Sequence, residues 1–411
     1  MLTPEQQTTL DDVLKGHSIF LTGDAGTGKS FLINEIVEKN PRLTATTAMT
    51  GSAALLINGS TLHSFLGIGL AKEPVEKLVQ TVRRYPGVRE RIIDTKTLII
   101  DEASMMSDGL FEKVDAFLRL LRRCPKKPFG GLQVILVGDP FQLCPIEGSY
   151  FFTSSLWAQF EFKRHNLTTN MRQKDDLLFK QILDCVRFGG CTPEHLAVLE
   201  GLKGTQFPEG IQPTRLYSKN VSVDNINQTE MTKLLGSGAQ SQLFELFFSN
   251  EKAQKWVQAN KIPVQVLLCT GAQVMCTRNM PALGLANGSR GIITSLGSGG
   301  VWFKKLNGAT VHVPLFDVPF ENPGTRVTYL PIKLAWALTI HSAQGMTIDA
   351  LEVDLGQDIF TWGQAYTGLS RATSLSAVRV TNVLAKSFVT HPIVLELFNT
   401  PSSSLFPLCT K

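Results

Sequence analysis

The eight residues Gly23-Asp24-Ala25-Gly26-Thr27-Gly28-Lys29-Ser30 constrain this 411-residue chain more than any other stretch. They satisfy the pattern G-x-x-x-x-G-K-[ST], and their flanks narrow the reading further. Before them, Ser18-Ile19-Phe20-Leu21-Thr22 is a short apolar run with β-branched and aromatic residues, which suits a buried parallel strand. After them, Phe31, Leu32, Ile36 and Val37 fall on one side of a helix that Asn40-Pro41 stops. Strand, glycine-rich turn and helix make a phosphate cradle. Glycines let successive N–H groups turn inward, Lys29 reaches the β- and γ-phosphates, and the Ser30 hydroxyl ligates Mg²⁺. The expected cofactors are therefore ATP and Mg²⁺.

The surroundings extend this into a domain. Thr3-Pro4-Glu5-Gln6 reads as a helix start, with Thr3 as cap and Gln6 closing a capping box. The runs Thr97 to Ile100 and Val134 to Val137 each end in a polar cluster, Asp101-Glu102 and Gly138-Asp139, as parallel strands delivering side chains to a shared edge would. Between them Leu110, Phe111, Val114, Phe117, Leu118 and Leu121 recur at helical spacing, with Ser107 or Asp108 as cap, and are read as core. A doubly wound α/β domain to about residue 165 follows.

An acidic pair after a strand is often only a helix cap; beside a phosphate loop it gains a second role. Asp101 can hold Mg²⁺ through water, and Glu102 can orient and deprotonate the attacking water. Gln142 follows the third strand, where its amide could bond either the γ-phosphate or that water. The γ-phosphoryl charge still needs an arginine from elsewhere, and Arg172 and Arg371 are the candidates.

Composition sets outer bounds. Hydrophobic residues make up 43% and charged residues 18%, enough for two cores and too apolar for wholesale disorder. The longest apolar stretch, near Leu330 to Ile340, is interrupted by Pro331 and Lys333 and is too short to span a membrane. The start LTPEQQ matches neither a secretory signal nor a transit segment. Seven scattered cysteines with no C-x-x-C pair suit a reducing compartment without structural zinc, so cytoplasm or nucleus is expected, with the mitochondrion also compatible. The net charge of +5 permits a polyanionic partner without requiring one. Beyond residue 165, Gln265 to Met275, Gly291 to Ser295 and Val301 to Phe303 look like strands, separated by turn signals at Asn287-Gly288, Gly299-Gly300 and Asn307-Gly308. After Pro331, Leu334 to Ile340, Leu351 to Leu355 and Val378 to Thr381 are strand candidates.

The phosphate loop, TAMTGSAA (Thr47 to Ala54), GSTLHSFLGIG (Gly59 to Gly69), IIDEASM, GDPFQL, NMRQ, LTIHSAQGMT (Leu338 to Thr347) and YTGLSRATS (Tyr366 to Ser374) occur in an order that resembles helicase superfamily one. More narrowly the chain resembles the petite-integration-frequency type of DNA helicase, in the RecD-like branch, with SDGLFEKVDAFLRLLRR similar to the signature of that type. The resemblance implies two RecA-like motor domains, residues 1–165 and 166–411, with a small wedge at about 65–95 and an SH3-like β-rich insertion at about 225–328. It implies ATP hydrolysis in the cleft between them and 5′-to-3′ movement on single-stranded DNA with unwinding of duplexes, single-stranded and forked DNA being the partners and a monomeric motor the expected state. Protein partners are not indicated. By position, Gln6 matches the residue that reads adenine, while Lys29, Ser30, Asp101, Glu102, Gln142, Arg172 and Arg371 match those around triphosphate and metal. Thr47, Thr50, Thr61, His63 and Phe65 match segments that hold the strand in the first domain, and Thr339 and His341 their counterparts in the second.

Two departures stand out. The family usually has a lysine after the histidine of the TIH segment, where this chain has Ser342-Ala343, and Cys144 stands where proline is common. Threonine hydroxyls suit phosphate contacts that are released at each step, and Phe65 offers either a stacking face or a core side chain. Trp336 is read as core. Arg83-Arg84, Arg89, Arg91, Arg122-Arg123 and Lys126-Lys127 could extend a DNA path or be solvated faces. Two rival readings stand beside the helicase: a DNA-stimulated P-loop ATPase acting as a remodelling or non-unwinding subunit, and a non-catalytic DNA-binding subunit. Against the second stands the complete set Lys29, Ser30, Asp101, Glu102, Gln142 and Arg371.

Overall fold

The computed structural model describes residues 2–39, 43–173, 176–207, 212–259, 262–278, 280–285, 289–305, 308–318, 320 and 324–399. The expected stops and turns at Asn40-Pro41, Asn287-Gly288 and Asn307 lie outside the described residues, as does Cys409. The chain forms two compact units, one of residues up to Gln206 together with those from Gln344 onward, the other Phe207–Ala343. These units are drawn along a different line from the motor-domain boundary expected at 165/166.

The largest sheet lies wholly within the first unit. Strands β1 (Ile19–Gly23), β2 (Thr44–Ala48), β3 (Ser60–Thr61), β4 (Thr97–Asp101), β5 (Gln133–Val137) and β6 (Lys163–Leu167) take the order β3-β2-β4-β5-β1-β6, with parallel pairing throughout. Every residue of β1 and β4 is buried, which is why these runs are apolar without alternation. Ile19 and Leu21 share a core with Leu10 and Val13 of α1 (Pro4–Leu14) and with Leu32, Ile33 and Ile36 of α2 (Lys29–Lys39). Phe20, between them, points to the opposite face, where its ring lies 5.3 Å from Phe151 and 5.9 Å from Trp157, edge-on to both. Helix α1 starts as the sequence requires: Thr3 accepts from Gln6 N–H, and the Gln6 side chain accepts from Thr3 N–H.

Short helices α3 (Gly51–Leu56) and α4 (Leu62–Leu66) follow β2 and β3, and Thr61 caps α4. The segment expected to hold the wedge folds as a helix pair, α5 (Val75–Arg83) and α6 (Pro86–Asp94). Its buried Leu78, Val79 and Val82 pack toward α7 (Asp108–Leu121), which Ser107 caps. Arg122 is a clip here: its guanidinium donates to the carbonyls of Ile92, Ile93, Thr95 and Gly130. Farther along, α8 (Leu177–Arg187) ends in a buried arginine. Leu351–Leu355 and Val378–Val383 pair in parallel, and the helix Gln364–Leu369 between them in sequence is buried at every residue.

The second unit is mainly antiparallel. Thr310–Pro314, Gly300–Lys305, Arg290–Gly297, Gln273–Cys276 and Ile332–Leu334 form a five-stranded sheet in that order, folded over Val274, Ile293, Val301, Phe303 and Val313. Gly299-Gly300 makes the hairpin expected there. Two expected strands are each split in two. Gln265 to Met275 becomes Gln265–Cys269 and Gln273–Cys276, because Gly271 turns the chain at φ +83. Leu334 to Ile340 breaks where Ala335 N–H turns back to the Gln273 carbonyl, leaving Ala337–Thr339 to pair in parallel with Thr214–Tyr217. Trp336 is buried core.

Candidate functional site at the carboxyl edge of the parallel sheet

Strands β4, β5 and β1 are neighbours, so their parallel carboxyl ends put the phosphate loop, Asp101-Glu102 and Gly138-Asp139 at one edge. A cleft of about 450 Å³ opens there. Its lining includes Gly26, Lys29, Ser30, Asp101, Glu102, Gln142, Arg172 and Arg371, together with Gly345 and Thr347. Residues up to 346 positions apart in sequence, Ala25 and Arg371, thus meet within the first unit.

The loop is held open by its own geometry. Gly26 and Gly28 have φ of +86 and +83, and a Cβ on Gly26 would lie 2.6 Å from the Arg172 Cβ. Lys29 Nζ donates to the carbonyls of Gly23 at 2.7 Å and Asp24 at 2.9 Å. Burial pushes its pKa down, against the carboxylates of Asp139, Glu102, Asp24 and Asp101. Gln6 is buried beside the loop and donates through Nε2 to the Thr27 carbonyl at 3.3 Å.

Asp101 and Glu102 sit side by side, and among the described residues neither has a direct ion-pair partner. The Asp101 carboxylate accepts from Glu102 N–H at 2.8 Å, and burial, reinforced by the Glu102 charge, pushes Asp101 up to about 7. Glu102 is also raised by burial, opposed by Lys29 and Arg371. Its backbone is left-handed, φ 52 and ψ 37, a conformation costing about 1–3 kcal/mol for a non-glycine residue and common where a side chain is aimed for function.

Both candidate arginines reach the cleft. Arg371 is 2% exposed and donates to the Thr367 carbonyl, the Ser370 hydroxyl and, at 3.5 Å, to Gln142 Oε1. Arg172 donates to the Ser370 carbonyl at 2.9 Å, and burial followed by the Arg371 charge pulls it down to about 9. Gln142 donates to Asp139 at 3.3 Å, so it bridges Arg371 to the strand edge.

Three further groups belong to the site and carried no signal that singled them out in the sequence. Gln344 donates to Glu102 Oε2 at 2.8 Å. The Tyr366 hydroxyl accepts from the loop's Ala25 N–H at 3.1 Å and donates to Asp139 at 3.3 Å. Arg187 pairs with Asp24 at 3.0 Å and with Asp139 at 2.9 Å, fully buried. Burial raises Asp139, but Arg187 and Lys29 outweigh it and its pKa ends below the usual range. Gln344 and Tyr366 do lie inside SAQGMT and YTGLSRATS, and Arg187 has only its place at a helix end.

The strand-holding candidates fall in separate places. Thr47 is buried in β2 with its hydroxyl donating to the Ile99 carbonyl at 2.6 Å. Thr50 accepts from Ala53 N–H at 3.2 Å and Thr61 from Ser64 N–H at 3.2 Å, both as local caps. Phe65 is half-buried under the Arg91 guanidinium, 5.5 Å from its ring centre, while Arg91 also donates to the carbonyls of Ser64 and Phe65. His63 is half-buried, which lowers its pKa. Thr339 and His341 lie in the second unit; Thr339 accepts from Ser342 N–H at 3.1 Å and its hydroxyl meets that of Ser342 at 2.8 Å, and burial lowers His341. Cys144 Sγ lies 3.3 Å from the Thr361 hydroxyl. Among the described residues no cluster of His, Cys, Asp and Glu suits a structural metal, and no helix is long and apolar enough to cross a membrane.

Fold and cleft define an α/β protein of the phosphate-loop class. Residues 1–188 match the PIF1-like helicase family and residues 254–296 match the 2B domain of DNA helicase Pif1. The chain is 38% identical to the ATP-dependent DNA helicase PIF1 of Homo sapiens over 97% of its own length, and it spans 64% of that relative. It superposes on the crystal structure of Pif1 helicase from Candida albicans with a TM-score of 0.87 at 32% identity, covering 97% of this chain and 99% of that one. A structure of Pif1 helicase from Bacteroides in complex with ADP-AlF3 and ssDNA is similar with a TM-score of 0.75 at 26% identity, covering 97% and 96%. This chain belongs to the PIF1-like helicase family.

Proposed function

We propose that this chain is an ATP-dependent DNA helicase that moves 5′ to 3′ on single-stranded DNA and unwinds forked duplexes as a monomeric motor. The observation that carries the proposal is the convergence of Lys29, Asp101, Glu102, Gln142, Arg172 and Arg371 on one cleft. Relatives named as ATP-dependent DNA helicases, and a relative in complex with both ADP-AlF3 and ssDNA, support the same reading.

The cleft's donors fit the nucleotide and its cation. Loop N–H groups, with Lys29 and Ser30, receive the phosphates, while Gln6, which packs beside Gly28, reads the base. Ser30 and Asp101 offer hard oxygen ligands, and the raised pKa of Asp101 is a strain that a divalent cation there would relieve. When bound, Mg²⁺ supplies charge neutralisation at the phosphates.

Glu102, held by Gln344, takes the proton of the attacking water. Arg371 and Arg172 meet charge that develops on the γ-phosphoryl oxygens, an anion that offsets the repulsion Arg371 exerts on Arg172. Gln142 joins Arg371 to Asp139 and so links the γ-phosphate to the loop through Tyr366. The segments carrying Thr47, Thr50, Thr61, His63 and Phe65, and those carrying Thr339 and His341, hold the strand. The motor domains are residues 1–165 and 166–411, with α5 and α6 in the wedge position.

Unwinding of a duplex with a 5′ overhang against one with a 3′ overhang tests the reading. Product from the 5′-tailed substrate alone is expected; product from the 3′-tailed substrate alone, or from neither, overturns it.

A further inference from the structure

The second unit contains its own cleft, of about 430 Å³, walled by the helix Asn220–Gly236 and the strands Ile332–Leu334 and Ala337–Thr339. Lys333 is the basic residue of its lining and Asp224, exposed on the helix, the acidic one. Lys333 is half-buried, and among the described residues no hydrogen bond or ion pair reaches its ammonium. Burial alone acts on it and pushes its pKa down; no neighbouring charge offsets that cost. An ammonium in this position lacks an anion.

The rest of the wall narrows the kind of anion. Thr339 and Ser342 line the same cleft with their hydroxyls 2.8 Å apart. Asn227 is spent on the backbone of Ala337, donating to its carbonyl and accepting from its N–H, so it holds the strand in place. A cation that shares a cleft with paired hydroxyls is phosphate-binding chemistry, since a hydroxyl hydrogen can rotate toward a phosphate oxygen. The segment Leu338 to Thr347 contains neither lysine nor arginine, and Ser342 follows its histidine directly.

We propose that Lys333, with Thr339 and Ser342, forms a subsite for a phosphodiester of single-stranded nucleic acid, Lys333 supplying the cation that position 342 does not. The proposal rests on the helicase reading above and adds to it a phosphate ligand that arises from a neighbouring strand.

The test is the salt dependence of binding to a fluorescein-labelled oligo-dT, read by anisotropy on the full chain. Each phosphate contact on a single strand contributes about 0.7 to the slope of log K against log salt. Lys333→Met, which keeps the aliphatic stem, is expected to lower the slope by about 0.7, or about 5-fold in affinity for each tenfold change in salt. Lys333→Arg is expected to retain the parental slope, and Ser342→Lys added to Lys333→Met to restore it. Thermal unfolding of each variant at the parental midpoint establishes that folding is intact.

An unchanged slope in Lys333→Met overturns the subsite, as does a double variant that stays at the reduced slope. Inorganic phosphate at matched ionic strength is expected to compete no better than chloride; competition that disappears in Lys333→Met assigns the cleft to free phosphate instead and overturns the nucleic-acid assignment. A parent chain that does not bind oligo-dT contradicts the helicase reading itself, whereas a binding parent indistinguishable from Lys333→Met removes only this subsite.

Discussion

The proposed nucleotide cleft and the segments proposed to hold the strand use their polar groups in opposite ways. In the cleft, partners come from far apart in the chain: Glu102 with Gln344, Gln142 with Arg371, Ala25 with Tyr366. In the segments, Thr50, Thr61 and Thr339 bond groups three residues away, shaping a local turn. Cleaving a phosphoanhydride demands several charges at fixed positions, so the cleft is buried and over-determined. Gripping a strand that must be released at every step demands a shaped backbone and a few modest contacts. Mutations should therefore separate sharply by region, with large losses in turnover from the first and small losses in affinity from the second.

The largest effect should come from Arg371→Ala. We expect kcat for ATP hydrolysis to fall on the order of 10³-fold or more, with nucleotide affinity within a few-fold, measured by phosphate release and by binding of a fluorescent nucleotide. Turnover that survives would mean the cleft's arginine lies elsewhere. Lys29→Ala should lower turnover by about 10³-fold while oligonucleotide affinity stays within about threefold; equal loss of strand binding would erase the contrast between the regions.

Arg187 tests whether the cleft is held from beneath. It is buried and bonded to both Asp24 and Asp139, so Arg187→Met strands two carboxylates and should lower unfolding free energy by about 3 kcal/mol, measured by denaturant titration. Loss of less than about 1 kcal/mol would make that pair dispensable.

Phe65→Ala should weaken single-strand binding by about 1–2 kcal/mol with kcat at saturating oligonucleotide little changed. A loss of thermal stability with unaltered binding would instead place Phe65 in the packing under Arg91.

Legibility in the sequence follows the same division. Strand, glycine turn and helix at residues 18–39 were readable because the phosphate loop is a local backbone requirement, and β4 and β5 because buried parallel strands are apolar without interruption. The α1 cap was readable for the same local reason. Arg187 and the ties made by Gln344 and Tyr366 were not, since their roles arise from contacts across 48 to 341 positions that no periodicity records. The hydroxyl of Thr47 is committed to Ile99, which only the sheet register reveals. Gly271 and the bend before Ala337 broke two apolar runs that read as continuous, because a run of apolar residues fixes burial but not where the backbone turns.

Coupling between cleft and strand is the central claim, and steady-state ATP hydrolysis with and without oligo-dT measures it most directly. We expect saturating oligonucleotide to raise kcat at least about tenfold, with the rise lost in Arg371→Ala. Hydrolysis at the same rate with and without the oligonucleotide would contradict the account.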